Sequence, residues 1–367
     1  METRAPGVSG WFPLTAEVLR AFGLVFALGL VVTALVTPLA QRLGLRLGLV
    51  DRPEGRRQHT GAIARLGGIA LYAGFTTALC AILFLPGAWL PPRLDPKELT
   101  RLTGLLVGTT AAFAFGLLDD RFEFSSKPQY VAQLLLSIIP IFFIIFIERV
   151  NNPFGSGQVV FPAVVVGGLT IFWFMGMMNT VNWLDGLDGL AAGAAAVMSA
   201  ILAVHMVREG QISVALLPIA LLGATLGFLP FNINPARVFM GSSGSYFLGW
   251  ALAALGIIAG AKMATVLLVM GLPILDVGWL IFSRWRRGGK ASVSVGGRDH
   301  LHHRLLDMGF TQRQIVLGYC VFCAAFGALA LALESRLYKA IALLVLSGAA
   351  LLLFVWASRR SSPPPRA

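Results

Sequence analysis

Charge is scarce in this sequence: Asp, Glu, Lys and Arg make up 13% of its 367 residues, against 57% hydrophobic ones. A soluble chain of this length needs far more polar surface to cover itself, so a water-soluble globular protein is excluded. Acid is scarcer still, with 17 Asp and Glu beside 29 Lys and Arg and a formal charge of +12. The bases lie in loops between apolar stretches, so they speak to membrane orientation and not to nucleic acid. Cysteine is nearly missing. Cys80, Cys320 and Cys323 all fall within apolar stretches, and Cys320 and Cys323 lack the further Cys or His partners a metal site needs, so they read as buried thiols. Internal repeats are not evident. The first apolar stretch has no separate signal peptide with a small-residue cleavage site and is expected to be retained.

What the chain does have is apolar stretches long enough to cross about 30 Å of hydrocarbon, about eleven of them. They run from Val18–Pro38 to Tyr338–Ala357, with Gln129–Ile147 as the fourth and Met263–Ser283 as the ninth. The expected fold is an all-α, polytopic transmembrane helical bundle in one domain over residues 1–357, with a disordered cytoplasmic tail over 358–367. An amino terminus outside and a carboxyl terminus inside puts about nineteen of the Lys and Arg in cytoplasmic loops, as the positive-inside rule requires. Gln41–Arg57 and Arg284–Arg304 dominate that count, and each suits anionic headgroups or a diphosphate. Span nine carries Pro273 and Asp276. It is expected to be broken there, leaving a groove against which a lipid phosphate lies.

The few acids cluster. Asp119 and Asp120 close span three, Glu123 follows, and Asp185 and Asp188 sit in Asn179-Thr-Val-Asn-Trp-Leu-Asp-Gly-Leu-Asp-Gly-Leu. All five fall on cytoplasmic ends in this topology. An ionised carboxylate near hydrocarbon costs several kcal/mol unless paired or metal-bound, so adjacent aspartates there point to function over interfacial anchoring. If the second cluster starts the sixth helix, Asn179 with Asn182 and Asp185 with Asp188 share a face. Carboxylates with few His and no Cys suit a hard ion with oxygen ligands, Mg²⁺ bridging a diphosphate being the common case.

Two further loops carry polar chemistry. Phe231-Asn-Ile-Asn-Pro-Ala-Arg-Val-Phe-Met-Gly-Ser-Ser-Gly-Ser offers Asn232, Asn234 and Arg237 for base or phosphate hydrogen bonds and Phe239 for stacking. Gly241–Ser245 is expected as a flexible turn into span eight. Gly296-Gly-Arg-Asp-His-Leu-His-His-Arg holds three of the five histidines. Zinc is disfavoured there, since adjacent His302 and His303 do not easily converge on one ion from a single helix, and anion binding by His and Arg is preferred.

Taken together these motifs resemble the polyprenyl-phosphate N-acetylhexosamine-1-phosphate transferase family from about Asp51 to Arg304. The resemblance is carried by Asp51-Arg-Pro with His59 and Gly67-Gly68, Gly116-Leu-Leu-Asp-Asp-Arg-Phe-Glu, Asn179 to Gly193, Asn232 to Ser245, Pro273-Ile-Leu-Asp and His300-Leu-His-His-Arg. It implies a Mg²⁺-dependent transfer, Mn²⁺ being an alternative ion, of a phosphosugar from a UDP-sugar to undecaprenyl phosphate, with release of UMP. It also implies a plasma-membrane enzyme with a cytoplasmic site that initiates cell-envelope polysaccharide synthesis, and it leaves a homodimer open.

Carried over by position, Asp119 would be the base near the lipid phosphate with Asp120 in support. Asp185 would approach the metal and diphosphate, and Asp119 and Ser242 would share the metal. Asp188 with Asn232 and Phe239 would bind uracil, Asn182 with Asn179 would orient the donor, and His59, His300, His302, His303 and Arg304 would hold its phosphates or sugar. The His-x-His-His form resembles the N-acetylglucosamine branch more than the muramoyl-pentapeptide branch. Two departures stand out. Gly241-Ser-Ser-Gly-Ser has Ser242 where the family usually has a metal-binding Asp, and Ala291-Ser-Val-Ser-Val-Gly-Gly replaces the usual Ser-Pro-Phe run. The alternatives are a phospho-MurNAc-pentapeptide transferase, a member inactive through Ser242, and an anionic-substrate transporter. The last should place its polar groups at the bilayer midplane with an internal repeat.

Overall fold

A computed structural model describes residues 14–51, 61–152, 155, 157–260, 263–288 and 300–360. Its helices are α1 (Ala16–Leu47), α2 (Gly67–Phe84), α3 (Glu98–Phe122), α4 (Ser126–Leu136), α5 (Ile139–Phe142), α6 (Ala163–Leu184), α7 (Leu190–Arg208), α8 (Ile212–Asn232), α9 (Gly241–Ile258), α10 (Met263–Val269), α11 (Gly271–Gly288), α12 (Leu301–Asp307), α13 (Gln312–Ala332) and α14 (Arg336–Arg360). Among the described residues, nine helices are long and apolar enough to cross a bilayer: α1, α2, α3, α6, α7, α8, α9, α13 and α14. The chain is an all-α, multi-pass membrane protein. Two short antiparallel pairs tie loops together, β1 (Val50–Asp51) with β2 (Ile63–Ala64) and β3 (Arg149–Asn151) with β4 (Gln158–Val160).

Burial sorts the helices into centre and periphery. The most apolar window of α9 is 83% buried and those of α7 and α8 are 78% buried, whereas those of α1 and α14 are 22% buried. With no hydrophobic drive between helices in lipid, close approach of small residues does the packing. On α1 the buried residues are Ala21, Val25, Gly29, Thr33, Thr37, Ala40 and Gly44, a stripe of mostly small side chains one turn apart. A Cβ on Gly29 would meet the Ala220 carbonyl at 2.6 Å, and one on Gly223 would meet that of Phe26 at 2.3 Å. The α1–α8 contact is therefore backbone against backbone. Leu35, Leu39 and Leu43 point outward from α1, toward lipid.

The fourth and ninth expected spans are each broken into pieces, and each break has a proline. Pro140 has no N–H to give the Leu136 carbonyl, and that carbonyl instead accepts the Trp250 indole N–H at 3.1 Å. The stretch continues as the four-residue α5 and extended chain. The ninth is divided at Met270 into α10 and α11, because Pro273 leaves the Val269 carbonyl without its helical partner. The expected break is thus present, one turn before the proline itself. At the carboxyl end α14 runs to Arg360, past the expected end of the domain at residue 357; the rest of the expected tail, 361–367, lies outside the described residues.

Candidate active site

Helix termini build the site. α3 stops where Glu123 turns to a left-handed φ of 48° and its N–H bonds the Asp119 carbonyl, leaving Asp119 and Asp120, each 4% exposed, on its last turn. The Asp120 carboxylate accepts the Ser242 N–H at 2.7 Å and the Ser243 N–H at 3.0 Å. It caps the positive end of α9, where unpaired amides favour an anion. Gly241 makes this possible: its φ is 68°, and a Cβ there would stand 2.7 Å from both Asp120 oxygens. The expected flexible turn over Gly241–Ser245 is accordingly corrected to the first turn of α9, fixed by that cap.

Asp119 Oδ1 accepts the Phe124 N–H at 3.2 Å and the Gln129 side-chain amide at 3.0 Å. One turn along α4, Gln133 accepts from the Asn179 amide and donates to the Tyr246 hydroxyl at 3.4 Å. Asn182 donates to Ser245 Oγ at 2.9 Å. These amides lock α4 and α6 to α9 beneath the aspartates, in a setting where an unpaired polar group is costly.

The motif expected to start a helix instead ends one. Asn179 and Asn182 lie on the last turns of α6, Asp185 is its C-cap, and α7 begins only at Leu190, after Gly189 at φ 84°. Asp185 and Asp188 both lie in the turn between α6 and α7, so they do not share a helical face. Asp188 faces the 233–240 loop, accepting the Asn234 amide at 2.9 Å and the Ala236 N–H at 3.0 Å. Asn232 is 1% exposed; its side-chain Oδ1 accepts the Gly189 N–H and its Nδ2 donates to the Val238 carbonyl. In this structure both residues hold the turn and loop together. Phe239, half-buried, exchanges backbone hydrogen bonds with Ala64 and Gly67. That pairing zips its loop to the one carrying Arg65, whose guanidinium donates to Glu123 at 2.8 Å.

Asp185 differs from its neighbours. No described residue hydrogen-bonds its carboxylate. Burial pushes this carboxyl well above the ordinary carboxylate range, the charges of Asp120 and Asp188 add to the shift, and Arg65 opposes it. A carboxylate without a donor, close to other carboxylates, fits a divalent cation with oxygen ligands. Asp185, Asp119 and the Ser242 hydroxyl are the groups that the sequence offered for one.

The histidine segment reaches the same turn. Asp276 on α11, 3% exposed, accepts the Leu301 N–H at 2.9 Å and pairs with His300 Nδ1 at 3.1 Å. The expected lipid-phosphate groove at Asp276 is therefore corrected: the start of α12 fills it, because a buried carboxylate takes the nearest donors. His300 also lies 5.8 Å, centroid to centroid, from the Trp183 ring. A Cβ on Gly186 would meet His302 Nε2 at 2.7 Å and His303 Nε2 at 3.5 Å, which brings both rings against the Asp185–Gly186 turn. Burial holds the His302 imidazole well below its ordinary pKa, with His303 and His300 adding to the shift. Arg304 follows on the same turn of α12, and His59 lies outside the described residues. Arg65, Gln129, Gln133 and Tyr246 escaped the sequence reading. Two glutamines four apart in an apolar stretch were the available signal, since such a pair shares a helix face.

Comparison with known proteins decides the family. The profile described as Glycosyl transferase family 4 matches residues 102–260, which spans the site from α3 to α9. The decaprenyl-phosphate N-acetylglucosaminephosphotransferase of Mycobacterium tuberculosis is 30% identical over 339 residues, covering 84% of this chain and 82% of the relative. The chain belongs to glycosyl transferase family 4. Other similar members are the probable undecaprenyl-phosphate N-acetylglucosaminyl 1-phosphate transferase of Bacillus subtilis, 29% identical over 84% of both chains, and the undecaprenyl-phosphate alpha-N-acetylglucosaminyl 1-phosphate transferase of Escherichia coli, 28% identical over 77% of this chain and 76% of the relative. In this family 4 member the profile stops short of α12, so the convergence of the histidines on the Asp185 turn is a finding of the tertiary structure alone.

Proposed function

We propose that this family 4 member transfers N-acetylglucosamine 1-phosphate from UDP-GlcNAc to undecaprenyl phosphate, giving a lipid-linked diphosphate sugar and UMP. It would do so at the cytoplasmic face of the plasma membrane, initiating a cell-envelope polysaccharide. The observation that carries this reading is the gathering, at one end of the bundle, of Asp119, Asp120 and Asp185 with His302 and His303, in a chain whose relatives are named for polyprenyl-phosphate GlcNAc-1-phosphate transfer.

An oxygen of the acceptor phosphate attacks the donor phosphorus adjoining the sugar. A new P–O bond forms to the lipid, the P–O bond to the uridine-bearing phosphate breaks, and UMP leaves. The acceptor monoester is largely ionised near pH 7, so Asp119 acts as a base only for its remaining proton. Gln129 and the Phe124 N–H orient that carboxylate. Asp120 sets the first turn of α9, and with it the Ser242 hydroxyl, beside the reacting groups. His300, His302, His303 and Arg304 bind the donor's phosphates or sugar, and positioning with charge neutralisation supplies most of the acceleration. Bound Mg²⁺ would supply Lewis-acid neutralisation of the diphosphate, held by Asp185, Asp119 and Ser242.

The test is purified protein with undecaprenyl or decaprenyl phosphate and a panel of UDP-sugars, scoring UMP. UDP-GlcNAc is expected to turn over fastest. Faster turnover with UDP-MurNAc-pentapeptide, or no UMP from any donor, overturns the reading.

A further inference from the structure

The polar groups at the α11–α12 junction are arranged as a ligand set in their own right. Asp276, His300 and His302 each present one donor atom, and those atoms lie within 4.8 Å of one another. Asp276 Oδ2 is 3.1 Å from His300 Nδ1 and 4.0 Å from His302 Nδ1. Ligands of a tetrahedral zinc-type ion, each about 2.0–2.2 Å from the metal, stand on the order of 3.3 Å apart. The two observed separations bracket that value.

A second observation is independent of the spacing. His302 is 0% exposed, yet among the described residues neither of its ring nitrogens has a hydrogen-bond partner. A buried imidazole with both nitrogens unsatisfied loses its hydration without replacement. Its Nδ1 faces Asp276, and its Nε2 lies against Gly186. The spacing argument that disfavoured zinc treated His302 and His303 as the ligands. In the fold it is His300 and His302, two apart across the start of α12, that turn the same way, their rings stacked within 10° of parallel, and the carboxylate comes from another helix.

We propose that Asp276, His300 and His302 form a site for a borderline divalent ion of the zinc class, separate from the hard-ion site at Asp119 and Asp185. Two imidazoles and one carboxylate match zinc chemistry, whereas Mg²⁺ prefers oxygen ligands and retained water. The carboxylate oxygen that accepts the Leu301 N–H stays on that bond, an outer contact of the kind that orients a ligating side chain. On binding, His300 would carry its single imidazole proton on Nε2, leaving Nδ1, now paired with Asp276, free to ligate. A fourth position remains for water or an anion, so with the ion bound His300 and His302 would meet a donor phosphate through that position, and His303 and Arg304 directly. The ion would fasten α12 to α11 and hold the His302 ring against the turn that carries Asp185. Metal binding here does not depend on the proposed transfer reaction.

The test is metal content. The full chain in detergent, stripped with chelator, is dialysed against Zn²⁺ or Co²⁺ in excess Mg²⁺, and the retained ion is measured by emission spectrometry and by the visible absorption of tetrahedral Co²⁺. The expected result is about one equivalent retained, with a raised Tm. His302→Gln and Asp276→Asn each should lower retention at least tenfold, while His303→Gln and Asp119→Asn keep it. Because Asp276→Asn also disturbs the start of α12, His302→Gln, which breaks no hydrogen bond, is the deciding variant. Retention by His302→Gln equal to the parent, loss on Asp119→Asn instead, or no Zn²⁺ held by the parent overturns the proposal. UMP release scored separately distinguishes the two readings, since Zn²⁺ retention without turnover leaves this site standing and defeats the transfer.

Discussion

The two ends of the bundle treat their charged residues differently. Away from the aspartates, a small cavity is lined in part by Arg93, Glu98, Arg101 and Ser213, and each of these finds a partner in the fold. Glu98 accepts the Ser213 hydroxyl at 3.0 Å and the Asp95 N–H at 3.3 Å. Arg101 donates to Asp95 and to the Ile144 carbonyl, and Arg93 to the Ile82 carbonyl. At the other end Asp119 and Asp120 are also held, but the Asp185 carboxylate and both His302 nitrogens are not. Gln211 Oε1, near Ser213, also lacks a partner among the described residues, so the ends differ in their titratable groups: those left unpaired lie beside the proposed donor site.

Breaking that comparison should cost most at Asp185. Asp185→Asn removes charge from the proposed metal and diphosphate contact while leaving every hydrogen bond described above intact. UMP release should fall by about a hundredfold or more at saturating Mg²⁺, with Tm unchanged. Near-parental turnover in folded protein would remove Asp185 from the chemistry.

A smaller effect is expected at Ser242. A hydroxyl can ligate Mg²⁺ but brings no countercharge, so Ser242→Asp should lower the Mg²⁺ concentration for half-maximal turnover, by about threefold to tenfold. The Ser242 N–H would still cap onto Asp120, since only the side chain changes. An unchanged or higher Mg²⁺ requirement would place the ion elsewhere.

The smallest effect on turnover belongs to the far end. Glu98→Ala deletes the acceptor of two hydrogen bonds there, costing about 1–2 kcal/mol of stability and lowering Tm by a few degrees. UMP release per folded molecule should stay within about twofold of the parent. A tenfold loss of turnover would mean that the two ends are coupled, and the division drawn between them would fail.

Much was legible in the residues themselves. A run of apolar residues long enough for the bilayer forms a helix because every backbone group must be satisfied internally, and this rule exposed the spans without any tertiary information. Pro273 announced a broken helix for the same local reason. The clustering of Asp119, Asp120 and Asp185 was visible because charge beside hydrocarbon is costly wherever it occurs, and the motifs around them carried the family resemblance.

What composition and spacing left open was partner choice. Nothing local tells Asp120 to cap α9, Asp188 and Asn232 to pin the loop before it, or Asp276 to receive His300 from a segment more than twenty residues away. Hydrogen-bond donors are short-ranged and directional, so which donor reaches which carboxylate depends on how helices far apart in the chain pack. Pro140 shows the division of labour. Its missing N–H is written in the sequence, but only the packing of α9 brings the Trp250 indole to the carbonyl that it frees.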